Sequence, residues 1–282
     1  MESIKFKVDK EISLKKFLLE KSISKRSYKK LINNGLLTID GNKTERNINL
    51  NKGNLVKISI EDENLDYKTI YKKLDILYED KDIIAVNKEA NLTVNSKNQE
   101  SLSNYIAYYF KENNIRSKIR LINRLDMNTS GIMLIAKNKY AQAFYQGEIE
   151  KNNVNKFYIS LVDGKLNIDR ELKLNINYNS NLKKMELYPE GKEIRTYFKS
   201  MKIYNNFSLV ESKLLTGKTH QIRLSLSSIG HPILGDKLYG SKYKLDRFLL
   251  HSYKLEFSCF RDNKKITILS RPQFDKYLNL GI

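Results

Sequence analysis

The sequence predicts an α+β protein in two units: a small basic N-terminal unit, then a larger one built on a mixed, mostly antiparallel sheet flanked by helices. Three observations carry this. Strand-like runs outnumber helical patterns and several adjoin directly, which favours antiparallel pairing over a doubly wound sheet. At Glu61–Tyr71 (EDENLDYKTIY) the composition shifts to acidic and polar residues with little apolar period, the mark of a connection. A chain of 282 residues, 40% hydrophobic with 18 Tyr and 11 Phe, can bury a sizeable core in one or two domains. The boundaries implied are 1–62 for the small unit, 63–72 for a linker and 73–282 for the large unit.

In the small unit, a short strand-like start leads to Ser13, placed to cap a helix in which Leu14, Phe17 and Leu18 share a face. Ser24 can cap a second helix, with Tyr28, Leu31 and Ile32 at helical spacing and Gly35 at its end. Leu36–Ile39 reads as a strand, Asp40-Gly41 as a tight turn and Asn54–Ile60 as a closing strand. Residues 1–60 hold 14 Lys and Arg against 6 Asp and Glu. Lys25, Arg26, Lys29 and Lys30 fall on the exposed face of the second helix at a spacing suited to phosphates, although such a run also serves as a plain solvated face.

In the large unit the strand-like runs are Asp75–Tyr78, Ile83–Val86, Gly131–Ala136, Phe157–Val162, Arg195–Ile203, Phe207–Leu215 and Ile266–Leu269. Helical patterns lie between them at Leu102–Lys111, Lys139–Gln146 and Thr219–Ser228. There is no internal repeat and no low-complexity tract.

Charge narrows the function. With 51 Lys and Arg against 32 Asp and Glu the net charge is +19, spread along the chain, which points to a polyanionic partner and to nucleic acid before an anionic membrane surface. Cys259 is the one cysteine, so neither an intramolecular disulfide nor a multi-cysteine metal site is available. It also lacks an adjacent base, which argues against a cysteine nucleophile. His220, His231 and His251 lack metal-ligand spacing, and no Gly-rich phosphate loop or dinucleotide fingerprint occurs. No apolar run approaches a membrane span, and the N-terminus has no secretory pattern. The expectation is a cytoplasmic monomer without metal or cofactor.

The most informative stretch is Leu121–Lys137, LINRLDMNTSGIMLIAK, a short polar segment that runs through Gly131 into an apolar strand. Rigid scaffolds present functional groups on such loops. Taken alone, Asp126 reads as a cap or turn residue. The run Asn123-Arg124-Leu125-Asp126-Met127-Asn128-Thr129-Ser130-Gly131 nevertheless resembles the RluA-type family of pseudouridine synthases, whose hallmark is His-Arg-Leu-Asp, two variable residues, then Thr-Ser-Gly. The resemblance implies that Asp126 is the catalytic nucleophile and that Arg124 enters the RNA beside the flipped nucleotide. Asn123 stands where the family has His, which is expected to change hydrogen bonding in the loop and leave the reaction class intact.

Two further blocks follow in order. Lys156–Val162 (KFYISLV) resembles the strand that supplies the family's active-site Tyr, which implies Tyr158; without the resemblance it is a core aromatic on a strand. Thr216–Leu224 (TGKTHQIRL), continuing through Gly230–Asp236 to Tyr239-Gly240, resembles the family's third motif and places Arg223 beside the nucleophilic Asp. In that motif Lys218, His220 and Gln221 become candidate RNA contacts, with His220 a wall of the site. The segment IIAVNKEANLTVN has Glu89 and Asn91 where the family usually has Pro and Gly; Asn is the next-best residue for a positive φ. Residues 12–60 resemble the small RNA-binding domain named after a ribosomal small-subunit protein, the S-four domain.

The implied chemistry is isomerisation of uridine in RNA, large-subunit ribosomal RNA first and transfer RNA as the alternative. A carboxylate must be ionised to attack, and a neighbouring guanidinium favours that form. Tyr158 would offer a ring to stack on the base and a hydroxyl, and the nucleotide would be flipped into the pocket. Two other readings compete. A non-catalytic RNA-binding or assembly protein would have been free to lose one of Asp126, Tyr158 and Arg223. A carboxylate glycosidase for small nucleosides fits neither the +19 charge nor the lack of a second carboxylate at the motif. Deleting residues 1–64 is expected to weaken RNA binding and leave the large unit folded.

Overall fold

The computed structural model describes residues 2–278. In the small unit, β1 (Ser3–Lys7), β2 (Ile12–Ser13), α1 (Leu14–Glu20), α2 (Lys25–Asn33), β3 (Leu37–Ile39), β4 (Asn42–Lys43), β5 (Asn49–Leu50) and β6 (Leu55–Ser59) follow in order. Four strands form a sheet in the order β1-β6-β3-β4, and β2 pairs with β5. Leu14, Phe17 and Leu18 are buried as their spacing implied. Asp40 and Gly41 both take positive φ (49° and 87°), the twist a two-residue hairpin between β3 and β4 requires. Ser24 caps α2, its Oγ accepting from the Ser27 amide at 3.2 Å. Ser13 does not cap α1. Its backbone pairs with β5, and Asn47 Oδ1 accepts from the Lys15 amide at 2.9 Å instead.

The large unit contains β7 (Ile76–Glu79), β8 (Ile83–Lys88), α3 (Leu102–Glu112), β9 (Arg120–Leu121), β10 (Ser130–Ala136), α4 (Lys139–Glu150), β11 (Asn155–Asp163), β12 (Asp169–Asn179), β13 (Lys184–Leu187), β14 (Lys192–Ile203) and β15 (Phe207–Leu214). After these come α5 (Gln221–Ser228), a 3₁₀ turn at Lys237–Tyr239, β16 (Leu250–Ser258), β17 (Lys265–Leu269) and α6 (Asp275–Leu278). One long sheet runs β13-β12-β14-β15-β11-β16-β10-β8-β7, with β17 on β16 and β9 on β10. Among the described strands β10 and β16 pair parallel and the others antiparallel, so the sheet is mixed. With helices on both faces, the fold is α+β.

Alternate residues of the central strands feed two cores. Ile83 and Ala85 of β8, with Ile132, Leu134 and Ala136 of β10, point to one face. Ile84, Val86, Met133 and Ile135 point to the other. Burial on both faces explains why these strands read as continuous apolar runs. The second face is covered by α3, α5 and α6 through Ile106, Phe110, Ile222, Leu226 and Tyr277. The first is covered by α4 and by the N-terminal unit itself. Phe6 of β1 meets Phe260 edge-on at 5.3 Å between ring centroids, Phe144 of α4 lies 5.1 Å from the same ring, and Arg261 donates to the Ser3 carbonyl at 3.0 Å.

Residues 1–60 therefore complete the core of the long sheet instead of hanging from a tether. The expectation that residues 1–64 can be deleted without disturbing the rest conflicts with this packing, because deletion would remove Phe6 from Phe260, which packs in turn on Phe144. The acidic connection is pinned as well: Glu61 pairs with Lys139 (2.8 Å) and Lys30 (3.3 Å), and Glu63 with Arg120 (2.7 Å).

Candidate active site

The end of β8 and the starts of β10 and β16 meet at one edge of the sheet, and the polar loop between β9 and β10 spans that edge. This loop is tied down at several points. Ile122 is buried in the first core and Leu125 in the second. Asn123 lies between them, its Nδ2 donating to the Ile132 carbonyl (3.1 Å) and its Oδ1 accepting from the Leu134 amide (2.7 Å). Two bonds thus lash the loop to β10, which is what the Asn at this position does. The Thr129 amide closes a turn on the Asp126 carbonyl at 3.0 Å. Gly131 then enters β10 at φ 112°, where a Cβ would sit 2.2 Å from the Ser252 carbonyl oxygen. Only glycine fits there.

From beneath, Lys88 supports the loop. Fully buried at the end of β8, it donates to the carbonyls of Met127 (2.8 Å), Glu89 (2.8 Å) and Leu92 (3.0 Å), using all three ammonium hydrogens. Burial pulls its pKa down to about 7, and the charge of Asp126 acts to hold it up. Asn91 does take positive φ (61°), so the turn that follows survives without Gly. Ser130 completes the anchorage. Its Oγ lies 2.8 Å from His251 Nδ1 and accepts from Arg247 Nη1 at 3.3 Å.

So held, Asp126 presents a carboxylate 30% exposed, and its Oδ2 accepts from Arg223 Nη1 at 3.0 Å. Arg223 belongs to the first turn of α5 and is itself fixed. Its Nε and Nη2 grip Asp236 at 2.7 and 2.9 Å, and its guanidinium lies 4.2 Å from the Phe248 ring centroid and 5.0 Å from that of Tyr239. A bidentate pair between aromatic faces fixes both position and plane. His220, the N-cap of α5, reaches within 3.7 Å of Asp126 with Nε2 and 3.0 Å of the Tyr239 hydroxyl with Nδ1. Burial, then the charge of Arg223, lower its pKa, so it faces Asp126 as a neutral imidazole at neutral pH.

Tyr158 on β11 is 7% exposed and pairs in register with Ser252, which on its other side pairs with Gly131. The Tyr and the end of the polar loop are thus one strand apart. Burial, with the charge of Asp126 adding, pushes the phenol up to about 12, so it stays protonated at neutral pH. Arg124 is exposed beside Asp126, and among the described residues it makes no ion pair. Asp126 thus meets Arg223 and His220, Tyr158 is near enough for the charge of Asp126 to act on its phenol, and Arg124 is exposed two residues before Asp126.

Residues 82–228 match the family model described as RNA pseudouridylate synthase, and an uncharacterised RNA pseudouridine synthase of Bacillus subtilis, YhcT, is 37% identical over 222 residues, 74% of this chain and 72% of that one. The chain belongs to the RNA pseudouridine synthase family. It is of the RluA type, an isomerase that acts on RNA. The ribosomal large subunit pseudouridine synthase C of Buchnera aphidicola is 33% identical, with 79% of this chain and 77% of that one covered. The solved structure titled human RNA pseudouridylate synthase domain containing 1 superposes with a TM-score of 0.63 at 26% identity, covering 74% of this chain and 87% of that one.

Within this synthase the other expected RNA contacts divide. Lys25, Arg26, Lys29, Lys30 and Lys218 are all exposed, Lys30 with a 3.3 Å surface pair to Glu61. Gln221 is a correction. It is buried, its Nε2 donating to the Arg195 carbonyl (2.9 Å) and Thr196 Oγ1 (2.8 Å) while its Oε1 accepts from Thr216 Oγ1 (3.0 Å), so it shapes the loop before α5 and does not face RNA. Lys88, Asp236, Arg247 and His251 are site residues that sequence reasoning passed over. A signal existed for Lys88, a charged residue continuing the apolar run IIAVN. Among the described residues no helix is long and apolar enough to cross a membrane.

Proposed function

We propose that this synthase isomerises uridines in large-subunit ribosomal RNA in the cytoplasm, with Asp126 as the attacking carboxylate and no cofactor. The observation that carries the assignment is the carboxylate of Asp126, partly exposed on an immobilised loop, with the Arg223 guanidinium 3.0 Å away. Uridine and pseudouridine are isomers. The bond from ribose carbon 1 to base nitrogen 1 breaks, the base turns, carbon 5 bonds to ribose carbon 1 and loses its proton, and nitrogen 1 gains one. No electrons enter or leave, so no redox group is required.

Each neighbour then has a part. Arg223 sets the orientation of Asp126 and opposes its negative charge, and Asp236 keeps Arg223 from swinging away. Tyr158 supplies a ring face for the flipped base and an O–H donor; with its pKa at about 12 it is not a phenolate base at neutral pH. Arg124, exposed and among the described residues without an ion pair, fills the gap the base leaves, offsetting part of the few kcal/mol of unstacking. The unit 1–62 acts as an S-four-like recognition domain, in which Lys25, Arg26 and Lys29 meet phosphates. Large-subunit RNA is favoured over transfer RNA by the relative named as a ribosomal large subunit synthase. The test is to map pseudouridine in total RNA from cells with the gene, without it, and with Asp126→Asn in its place. Large-subunit sites lost in both altered strains are the expected result; a map unchanged by Asp126→Asn would remove the assigned nucleophile.

A further inference from the structure

Beside the catalytic loop, at the same sheet edge, lies a second recess. It is a cleft of about 300 Å³ lined by Lys88, Asn91, Ser130, Arg247, His251 and Arg271, among others; Asp126 is not part of its wall. Arg247 is the residue that needs explaining. It is 9% exposed, yet among the described residues it forms no ion pair, and its one protein hydrogen bond runs from Nη1 to Ser130 Oγ at 3.3 Å. Arg247 lines the cleft, and among the described residues its Nε and Nη2 have no hydrogen-bond partner. A guanidinium withdrawn this far from water ordinarily has a carboxylate. The acids of the cleft are engaged elsewhere: Glu89 with Lys72 at 2.7 Å, and Asp246 with the Tyr277 hydroxyl at 2.6 Å.

The rest of the recess is equally short of anions. Lys88 lies behind Arg247 with its hydrogens on three carbonyls. The His251 ring donates from Nε2 to the Ser270 carbonyl at 3.2 Å and accepts from Ser130 at Nδ1, the neutral tautomer. Arg271 stands at the mouth, 83% exposed, held only by a 3.3 Å surface pair with Asp275. Such a pair is weak enough to yield to a ligand.

We propose that this cleft is a phosphate subsite for substrate RNA: a backbone phosphodiester near the flipped nucleotide sits on the free N–H groups of Arg247, and Arg271 closes on it from the mouth. The geometry couples it to catalysis. The same guanidinium that holds the phosphate also holds Ser130, so seating the RNA backbone reinforces the loop that carries Asp126. The proposal rests on RNA as substrate and does not depend on which residue is the nucleophile.

The experiment uses the full chain, wild type and the variants Arg247→Gln and Arg271→Ala, with a labelled uridine-rich RNA oligonucleotide followed by anisotropy through a KCl titration. Thermal unfolding checks each variant, and Arg271→Ala, being exposed, guards against misfolding of the other. Both variants are expected to bind more weakly, with the slope of log K against log salt smaller by about 0.7 per lost phosphate contact on a single strand. Arg271→Ala should raise the KM for RNA by a larger factor than it lowers kcat. An unchanged slope in folded Arg247→Gln, with activity reduced, would make Arg247 a prop for Ser130 alone and overturn the proposal. So would inorganic phosphate that raises the wild-type melting temperature but not that of Arg247→Gln while RNA affinity is the same in both, since the cleft would then be a site for a free anion.

Discussion

Arg223 and Arg247 are both buried guanidiniums beside the loop that carries Asp126, and they differ in what they face. Arg223 has two carboxylates and two aromatic rings, and nothing about it is left to a ligand. Arg247 has one serine hydroxyl and the face of Phe274, whose ring centroid is 5.7 Å away. A saturated guanidinium is a fixed part of the protein, whereas an unsaturated one is an unfinished site. The difference also explains why the loop needs both, since Arg223 orients the carboxylate and Arg247 grips the residue that ends the loop.

The largest effect should come from breaking the saturated arginine. Asp236→Ala leaves Arg223 buried with one acid instead of two and is expected to lower stability by about 3–5 kcal/mol in denaturant titration. Arg247→Met should stay within about 1.5 kcal/mol of wild type, because only one hydrogen bond is lost. Equal costs for the two would erase the contrast.

Next in size is a dependence on acid. Burial, reinforced by the charge of Arg247, pulls His251 down to about 4 from an ordinary 6.5. Between those values the unfolded chain binds the proton and the folded one does not, so stability is full above pH 6.5 and falls as pH drops toward 4. The expected loss is about 3 kcal/mol. Chemical denaturation across that range should show it in wild type and not in His251→Gln, and equal pH slopes would remove His251 as the source. Smaller still, Asn123→Ala should cost about 1–3 kcal/mol by stranding the Leu134 amide and Ile132 carbonyl. It should slow turnover more than it weakens RNA binding. Least in stability, Lys25→Ala, Arg26→Ala and Lys29→Ala together should leave the melting temperature unchanged while RNA affinity and its salt slope fall; an unchanged slope would take α2 out of the RNA interface.

The two arginines also mark how far a sequence can be read. Strands β8 and β10 were legible because burial on both faces makes their residues apolar without interruption. The strand β12 was missed. Its period-2 alternation, Leu172, Leu174, Ile176 and Tyr178 between Glu171, Lys173, Asn175 and Asn177, was passed over, and only Ile176 of the apolar set is fully buried. Asp126, Arg223 and Tyr158 were found through a motif resemblance, since each alone reads as a turn, surface or core residue. Asp236 and Arg247 were invisible for a plainer reason: a charged residue looks like surface in a sequence, and only the fold reveals that these two are buried. The N-terminal unit misled in the same way, because its spacing describes its own core and says nothing of Phe6 reaching across to Phe260.

The most direct test of the central claim is single-turnover pseudouridine formation by purified Asp126→Asn, on RNA from cells lacking the gene, beside its RNA affinity and melting temperature. The account predicts a fall of at least ~1,000-fold in rate with binding and folding retained. Turnover near wild type in the folded variant would contradict it.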